Sequence, residues 1–452
     1  MNNQINKIIK EYLKNPYPLL INCKIMGSDE GYHWGGKKFI PKLLNIKNKE
    51  KKSYAEIWIG AHKKAPSNTI IDDTIINLYD LISIAGKEIL GINAYKKFGN
   101  KLPFLFKLLS SAQPLSIQAH PDKKQAEEGW KREKGNGPNY KDDNHKPELI
   151  SAVTDFWALN GFRNLNDIIR QFEKLKIKNF SAALNKLKMG KNLNEKGSLK
   201  LFYKSIMNIS LIEKSKIIKK ILFKAKIKYS LYIIFFFFSK RIYNHFREYW
   251  ILKAVKSLKS IIEKDFLNGK IELRERNEKT VEALYGIISI FLLNLVHLKP
   301  GQAMFLPAGE LHSYLEGTGI EIMSNSDNVL RGGLTHKYID VNELLNVLTF
   351  NQGAPDILHP LKNSETESYY QTPAIEFKLN IIELFNKRSY TSENNHNAEA
   401  FIVLKGDAEI IDFKKNSLFI TKGSTFFIPS IIKEYTIRPR SAHVKIYKAG
   451  IP

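Results

Sequence analysis

The sequence predicts a mainly β protein that is interrupted by an α-helical insertion. Three observations predict this fold: short apolar segments bounded by turn residues up to about Asp155, apolar residues at helical spacing from about Asn164 to about Leu295, and short strands that return at His297. The helical region is therefore expected to lie within a β domain and not to follow it.

Individual segments show each of these patterns. Residues 56–59, bounded by Gly60, and residues 115–120, closed by Pro121, are predicted strands. Residues 167–175 and 211–223 repeat their apolar positions at helical spacing, and residues 194–198 are expected to form a loop between helices. The returning strands are predicted at 297–299 and 303–306, with a Pro-Gly turn between them.

A short spacing pattern occurs twice in the second half of the chain. Gly301 is followed after five residues by Pro307 and after four more by His312, and the same spacing runs from Gly423 to Glu434. Each unit is typical of a tight turn, a short strand and a second turn at the edge of a β-barrel. Two units predict two related barrels. The second has a carboxylate in place of the histidine and no His-x-His upstream, so we expect it to hold no metal.

The composition is that of a globular protein without disulfide bonds. The 452 residues are 43% hydrophobic, which is sufficient for a large core. At about 150 residues per domain, the length suggests roughly two to four domains. The single cysteine, Cys23, excludes an internal disulfide and a zinc site built from thiolates, and it indicates a reducing compartment. We therefore expect a cytoplasmic protein.

The chain is strongly basic, with 70 lysine and arginine residues, 45 acidic residues and a net charge of +25. These cations are spread along the chain, and no helix-turn-helix, RNP-like or zinc-finger spacing accompanies them. We expect solvated surface charge and no nucleic-acid partner. The alternative, a nucleic-acid binder, predicts a steep salt dependence of binding to generic DNA.

No segment is expected to enter a membrane. The most apolar run, residues 231–238, contains four consecutive phenylalanines but is shorter than the ~20 apolar residues that span a bilayer, and lysine or arginine flanks it on both sides. We interpret this run as a buried helix or strand. Residues 1–18 are polar and lysine-bearing, and we interpret them as an N-terminal extension and not as a secretory signal.

Four residues supply nitrogen and oxygen donors that suit a metal ion. Gln118 and His120 are two apart on a predicted strand, so their side chains project to the same face, and Glu148 and His312 follow later in the chain. Two imidazoles, a carboxylate and an amide oxygen suit zinc or another borderline divalent ion. Their single negative charge would leave a bound dication a good Lewis acid. On spacing alone, hydrogen-bonded structural histidines are the simpler explanation.

The sequence around these residues favours the metal site. Residues 140–148 read Tyr-x-Asp-x-Asn-His-Lys-Pro-Glu, and further characteristic blocks occupy 54–62, 102–107, 113–122, 306–315 and 326–335. Together, and in this order, the blocks closely resemble the type I mannose-6-phosphate isomerases, which are zinc-dependent enzymes of the cupin fold. The resemblance covers roughly residues 22–348 in motifs, and the remainder is consistent in layout.

The resemblance implies a function and a domain organisation. The function is interconversion of D-mannose 6-phosphate and D-fructose 6-phosphate through a cis-enediol intermediate, within carbohydrate metabolism and GDP-mannose biosynthesis. The expected domains are a metal-bearing cupin barrel at 19–160 and 296–350, a helical insertion at 161–295, and a metal-free cupin-like barrel at 365–452. Residues 1–18 remain the N-terminal extension, and we expect a monomer.

The resemblance also assigns roles to individual residues. The zinc ligands, for one Zn²⁺ per chain, correspond to Gln118, His120, Glu148 and His312. The active-site arginine corresponds to Arg331, which could clamp phosphate or stabilise an enediolate. The sugar-phosphate pocket is expected to include Lys107, Ser116, Lys146, Lys337 and Glu321.

The general base stays open among four candidates. These are His145, Lys146, Asp327 and Glu321. Of these, Lys146 and Asp327 join Arg331 as our candidate catalytic residues. Asp327 and Asn328 could equally make turn hydrogen bonds that hold Arg331. His62 could face the pocket or have a structural role.

Two other functions remain as alternatives. Two histidines and one carboxylate also resemble the facial triad of Fe(II) oxygenases, although Gln118 and the surrounding lysines and arginine favour a phosphorylated sugar. The second alternative is a non-catalytic sugar-phosphate binder, against which the presence of all four ligands and Arg331 argues.

Overall fold

The computed structural model of the chain describes residues 2–134, 137–235, 245–267, 273–385 and 387–452. Within these ranges, strands occupy both ends of the chain and a group of helices lies between them. The prediction of a β-rich protein with a helical region is thereby confirmed.

The first β region is a branched sheet of ten strands. The first thirteen strands of the chain are β1 (Leu19–Ile21), β2 (Lys24–Gly27), β3 (Tyr54–Ile59), β4 (Asn68–Ile71), β5 (Thr74–Asn77), β6 (Phe104–Ser111), β7 (Ile117–Ala119), β8 (Glu148–Ala152), β9 (Phe156–Phe162), β10 (Leu293–Leu298), β11 (Ala303–Leu306), β12 (His312–Ser324) and β13 (Leu330–Gly333). Strands β2, β3 and β6 to β13 form the sheet, and β4 pairs with β5 separately. Strand β12, with 13 residues, pairs with β7 and β9 along its first half and with β6 and β8 along its second. It therefore joins strands that are distant in sequence.

Thirteen α-helices are described. They are α1 (Asn2–Lys14), α2 (Phe39–Leu43), α3 (Leu78–Leu90), α4 (Ile92–Phe98), α5 (Lys123–Glu133), α6 (Leu165–Leu175), α7 (Ser181–Gly190), α8 (Glu195–Met207), α9 (Leu211–Phe235), α10 (Arg247–Leu267), α11 (Leu273–Tyr285), α12 (Ser289–Leu292) and α13 (Val341–Val347). Helices α6 to α12 form the insertion. Their apolar sides pack in one core with strand residues of the ten-stranded sheet, such as Leu159 and Leu330.

Three details of the predicted helices and strands are wrong. The expectation of strands and turns alone before Asp155 missed helices α1 to α5. Helix α3 is capped by the Asn77 side chain, which accepts the Asp80 N–H at 2.8 Å. The predicted loop at 194–198 is the start of α8, because the Asn194 side chain caps it by accepting the Gly197 N–H. The helices of the insertion end at residue 292, before the predicted limit of about Leu295.

The phenylalanine run falls mostly outside the described residues. Residue 235 is the last of α9, and residues 236–244 are not described. Among the described residues, no helix is both long enough and apolar enough to span a membrane.

The second β region consists of two sheets. Its strands are β14 (Leu361–Lys362), β15 (Glu367–Tyr369), β16 (Lys378–Phe385), β17 (Tyr390–Thr391), β18 (Glu399–Lys405), β19 (Ala408–Asp412), β20 (Ser417–Ile420), β21 (Thr425–Ile428), β22 (Tyr435–Pro439) and β23 (His443–Gly450). A seven-stranded sheet faces a four-stranded sheet across a shared apolar core. The repeated spacing corresponds to matching structure. Gly301 and Gly423 have φ angles of 87° and 92°, each precedes a four-residue strand, and His312 and Glu434 lie where the next strand begins.

The N-terminal segment packs against the body of the protein. Ile9 and Tyr12 of α1 are buried in a core that contains residues of both β regions. Strand β1 pairs with β21, so residues 19–21 extend the C-terminal sheet. The predicted boundary assigned these residues to the first barrel; the structure instead connects them to the second.

The end of the helical insertion touches the segment that follows Arg331. A Cβ atom on Gly286 would overlap the backbone nitrogen of Leu334, and one on Gly333 would lie 2.6 Å from the Gly286 Cα. Gly333 also has a φ angle of 144°, which favours glycine. Two glycines are therefore required for this close backbone contact.

We expect Gly286→Ala to destabilise the protein by about 2–4 kcal/mol, because the added methyl group must displace the backbone of residues 333–334. Thermal unfolding followed by differential scanning fluorimetry measures the change. The control is Gly450→Ala, where the nearest atom to the new Cβ would be Glu399 Cγ at 3.7 Å. Equal melting temperatures for the two variants would contradict the contact.

Candidate metal centre

His120, Glu148 and His312 converge in the interior of the ten-stranded sheet. The Nε2 atom of His120 lies 3.3 Å from one oxygen of Glu148, and the Nε2 atom of His312 lies 3.3 Å from the other. One donor atom from each residue lies within 4.8 Å of the others, and all three side chains are buried. The chain thus brings together three of the four predicted metal ligands with their donor atoms facing one another.

The histidine tautomers are fixed by backbone carbonyls. The Nδ1–H of His120 donates to the carbonyl of Asn328 at 2.8 Å, and that of His312 donates to the carbonyl of Glu310 at 3.0 Å. Within the described ranges, neither Nε2 atom has a hydrogen-bond partner. Because Nδ1 carries the proton, each Nε2 presents a lone pair toward the Glu148 carboxylate. This is the tautomer that a metal-binding histidine needs.

Electrostatics hold the ligands in metal-binding protonation states. Burial and the nearby Lys146 ammonium lower the pKa of His120 to about 4, so its imidazole is neutral at pH 7. Burial opposes ionisation of Glu148, but the adjacent Lys146 ammonium holds the pKa of its carboxyl well below the usual range. The neutral His120 imidazole and the Glu148 carboxylate fit a dication such as zinc.

Gln118 and Arg331 are placed beside the metal ligands by strand register. Gln118 of β7 is paired with His312 of β12 on one side and with Arg331 of β13 on the other. Directly paired residues of antiparallel strands project from the same face, so all three side chains share the face that holds the metal ligands. The register supports Gln118 as the fourth ligand. Arg331 is half-buried, and burial lowers its pKa from the ordinary value.

Lys146 and Tyr314 contact the ligand carboxylate. The buried Lys146 ammonium lies 3.1 Å from Glu148. The Tyr314 hydroxyl donates to Glu321 at 2.9 Å and lies 3.5 Å from Glu148. These contacts connect the metal ligands to a second group of buried charges.

That second group is centred on Lys107. Its ammonium lies 3.2 Å from Glu321 and 3.8 Å from Glu56, and it is 5.0 Å from the centroid of the Trp58 ring. Burial opposes the charged form of Lys107, but Glu56, Glu321 and Glu148 outweigh it and raise the pKa of the ammonium. Burial raises the pKa of Glu321. The predicted pocket residues Lys107 and Glu321 therefore lie together. The Tyr314 hydroxyl lies between Glu321 and the candidate ligand Glu148.

Sequence reasoning missed Glu56 and assigned Asn328 too small a role. Glu56 accepts a hydrogen bond from the Trp58 indole at 2.6 Å. A carboxylate two positions from a buried tryptophan on one strand was the signal that could have identified it, since alternate residues share a face.

Asn328 holds the segment that carries Lys146. Its side-chain oxygen accepts the backbone N–H groups of Lys141 and Asp142 at 2.6 and 3.1 Å. Its side-chain nitrogen donates to the carbonyls of Asp142 and Asn144, both at 2.8 Å. Its own carbonyl orients His120. The fully buried Asn328 therefore connects the candidate ligand His120 to residues 141–144, the loop that precedes the candidate ligand Glu148.

The Asp327 carboxylate pairs with His62 and Lys64, which are not candidate metal ligands. Its carboxylate lies 2.5 Å from the Lys64 ammonium and 3.4 Å from the His62 ring. Burial opposes its ionisation, but His62 and Lys64 hold the pKa of Asp327 well below the usual range. This pairing argues against Asp327 as the general base and gives His62 a structural role.

The remaining predicted residues lie further out or have other partners. The His145 ring pairs with Glu376 at 2.6 Å, which directs it toward the second β region. Ser116 lies one residue before β7, two positions from Gln118. Lys337 lines a cleft of about 930 Å³ between the insertion and the segment after β13.

The single cysteine is not part of this site. Its thiol lies 3.3 Å from the hydroxyls of Ser67 and Thr425. Burial raises the pKa of the Cys23 thiol to about 11, so it is not a reactive thiolate at neutral pH.

Comparison with known proteins identifies the family. Residues 23–165 match the family described as phosphomannose isomerase type I, catalytic domain. The mannose-6-phosphate isomerase of Salmonella typhimurium is 32% identical over 418 residues, which cover 90% of this chain and 94% of that protein. The chain belongs to the mannose-6-phosphate isomerase family. The Escherichia coli member is 31% identical over 436 residues, with 94% and 99% of the two chains covered.

Solved structures of the family share this fold. A crystal structure of a lysine-to-alanine mutant of phosphomannose isomerase from Salmonella typhimurium superimposes with a TM-score of 0.73 at 28% identity, covering 96% of this chain and all of that one. A mannose 6-phosphate isomerase crystallised with zinc and yttrium superimposes with a TM-score of 0.72, also at 28% identity, over 96% and 99% of the two chains.

We expect Asn328→Ala to weaken binding of Zn²⁺ by about 10- to 100-fold, because the His120 and Lys146 segments lose their common support. Competition titration with a chromophoric chelator measures the affinity. The matched control is Asn325→Ala in the same loop, whose side chain makes only long hydrogen bonds in the described structure, such as that to the Leu102 carbonyl at 3.3 Å. Equal zinc affinities of the two variants would disprove the role of Asn328.

Proposed function

We propose that this member of the mannose-6-phosphate isomerase family interconverts D-mannose 6-phosphate and D-fructose 6-phosphate. The observation that carries the proposal is the buried convergence of His120, Glu148 and His312 beside Lys146. A mononuclear metal site with basic side chains around it suits the isomerisation of an anionic sugar. Family membership over nearly the whole chain favours this reaction over the oxygenase and non-catalytic alternatives.

We infer that the site holds one Zn²⁺ per chain, bound by Gln118, His120, Glu148 and His312 in a cupin barrel. The unpartnered Nε2 atoms and the strand register of Gln118 support this ligand set. The related structure with zinc supports the choice of metal. When bound, zinc supplies a Lewis acid that polarises oxygen atoms of the sugar.

The cationic side chains are assigned to the anionic parts of substrate and intermediate. Arg331 shares a face with Gln118 and offers a planar fork for phosphate or enediolate oxygens. Lys107, fixed by Glu321 and Glu56, provides a charge in a defined position. We further assign Ser116, Glu321 and Lys337 to the sugar-phosphate pocket.

Proton transfer is assigned to Lys146. The reaction removes a proton from C2 of the open-chain aldose and returns a proton to C1, so no oxidant or reductant is consumed. Lys146 is buried and its nitrogen lies 3.1 Å from the ligand Glu148, which places it next to a sugar bound at this centre. In its neutral form the amine accepts the C2 proton, and the ammonium that results returns a proton to C1. Asp327, whose carboxylate is engaged by Lys64 and His62, is a poor candidate for this step.

We also propose a compartment, partners and an oligomeric state for the enzyme. The single cysteine supports a reducing compartment, and we place the enzyme in the cytoplasm, where its product would enter carbohydrate metabolism and GDP-mannose biosynthesis. We propose a monomer that acts without nucleic acid or membrane partners. The metal ligands within the chain all come from one copy, which is consistent with this state.

We expect complete metal removal to abolish isomerase activity and Zn²⁺ to restore it. The measurement is a coupled assay of fructose 6-phosphate formation from mannose 6-phosphate, before and after dialysis against a chelator. Circular dichroism before and after dialysis controls for unfolding. Activity that survives with less than about one hundredth of an equivalent of metal would refute the mechanism, since Lewis-acid catalysis needs the ion in every active molecule.

We expect Glu148→Gln to lower kcat/KM by at least about 100-fold and to abolish zinc retention, because a neutral amide replaces the only charged ligand. Zinc content and kinetics are measured on the purified variant. Glu409→Gln, which removes a surface partner of Arg440 in the C-terminal sheet, is the matched control and should leave both unchanged. Full activity of Glu148→Gln would refute the ligand assignment.

A further inference from the structure

The chain around Lys146 is held from the second β region at two points. Lys146 lies in the irregular loop that leads into β8. On one side of it, the His145 ring pairs with the Glu376 carboxylate at 2.6 Å. On the other side, within β8, the Ser151 hydroxyl lies 2.8 Å from the Tyr370 hydroxyl. Both partners belong to the connection between β15 and β16, so one short segment of the second β region contacts both sides of Lys146.

This connection, residues 370–377, is a fixed support. Phe377 is buried in a core that contains residues of both β regions. The neighbouring Glu376 is 5% exposed, and one of its oxygens accepts the backbone N–H of Ile375 at 3.2 Å. The carboxylate is therefore oriented by its own segment, and its other oxygen meets the ring of His145.

The pair of Glu376 and His145 gives the interface a direction. Burial opposes ionisation of Glu376, but the hydrogen bond to His145 holds the pKa of its carboxyl below the ordinary value. Apolar side chains could join two β regions without the cost of desolvating a charge. A hydrogen bond adds a constraint that apolar contact lacks, because it is strong only when the ring points at the carboxylate.

The backbone links the direction of His145 to that of Lys146. Pro147 favours an extended conformation for the residue before it, and successive side chains of an extended segment project to opposite sides. The contacts agree with this alternation. His145 reaches Glu376 in the second β region, whereas the Lys146 nitrogen lies 3.1 Å from Glu148 in the first. A rotation of the segment that released the ring would therefore also move the amine.

The candidate metal ligand Glu148 is held independently of this pair. It belongs to β8, where its register partners are Leu306 of β11 and Met323 of β12. Pairing on both sides fixes a strand residue through the backbone ladder. Loss of Glu376 should therefore displace Lys146 and leave the metal ligands in place.

We propose that Glu376 is a positioning residue for Lys146 and acts through His145. The inference rests on the proposed function, because proton transfer at C2 of the sugar is assigned to Lys146. It gives the second β region a part in catalysis, since that region orients the proton-transfer group while the ten-stranded sheet orients the metal ligands.

The test compares Glu376→Ala with Glu376→Gln in the coupled assay of mannose 6-phosphate isomerisation. Glutamine keeps an oxygen that accepts the His145 N–H, and alanine removes it. We expect the alanine variant to lower kcat about 10-fold, with KM within about twofold of the wild type and zinc content unchanged. We expect the glutamine variant to restore kcat to within about threefold. Glu376→Asp, which shortens the side chain, replaces the alanine variant if that protein does not fold.

The matched control is Glu383→Ala. It removes the partner of His443, at 2.8 Å, from a glutamate–histidine pair that lies wholly within the second β region. We expect its kcat to equal that of the wild type. A purely structural role of Glu376 predicts a lower melting temperature with unchanged kcat per zinc-loaded folded enzyme, and an equal loss of kcat in both variants would also overturn the positioning role.

Mannose 6-phosphate with deuterium at C2 identifies the step that is slowed. A displaced Lys146 slows removal of the C2 proton, so we expect the isotope effect on kcat in Glu376→Ala to equal or exceed that of the wild type. A smaller isotope effect in the variant would place the loss in another step and overturn the inference.

The outcomes separate this inference from the proposed function. A wild-type enzyme that does not isomerise mannose 6-phosphate overturns both. An active, zinc-containing wild type whose Glu376→Ala variant keeps kcat within twofold overturns the positioning role alone.

Discussion

The Nε2 atoms of His120 and His312 each lie 3.3 Å from a different oxygen of the buried Glu148 carboxylate, and none of these atoms can donate a hydrogen to another. Such an arrangement of electron pairs is repulsive unless a positive charge occupies the space between them. Strand β12 maintains the arrangement, because it begins at His312 and pairs with β7 and with β8, which begins at Glu148. The pairing of these strands therefore places the three donor atoms within 4.8 Å of one another, where they could hold a cation.

The charges around this centre are fixed before any substrate binds. Lys146 pairs with Glu148, and Lys107 pairs with Glu321 and Glu56, all within the protein interior. Removing one partner from a buried pair is destabilising by about 3–5 kcal/mol, so each ammonium is held in one position by carboxylates that cannot leave it. Charges that do not reorganise stabilise a developing enediolate better than solvent does. In the proposed function, the carboxylates that hold these ammonium groups would also prepare the site for catalysis.

The sequence predicted those parts of the structure that short motifs encode. His120, Glu148 and His312 lie in recognisable blocks, and the change from alternating to helical periodicity identified the insertion. Contacts between segments that are far apart in the chain leave no recognisable motif in the sequence. Asn328 supports residues 141–144 from nearly two hundred positions away, and His145 turns to Glu376 in the other β region. Helix α3 was missed because its capping by Asn77 depends on two residues that also occur in ordinary turns.

The helical insertion contacts the segments that carry His312 and Arg331 through a small set of residues. Its core includes Leu311 and Leu330, the neighbours of His312 and Arg331 in sequence, and Gly286 meets Gly333 through the backbone. Residues on this surface pack against the neighbours of Arg331 and of the candidate metal ligand His312, so their size is constrained. The opposite surfaces carry exposed lysines and isolated apolar residues such as Leu193 and Ile212, which have no such constraint. The exposed lysines of the insertion are therefore compatible with the candidate metal centre, because they lie on surfaces that do not reach it.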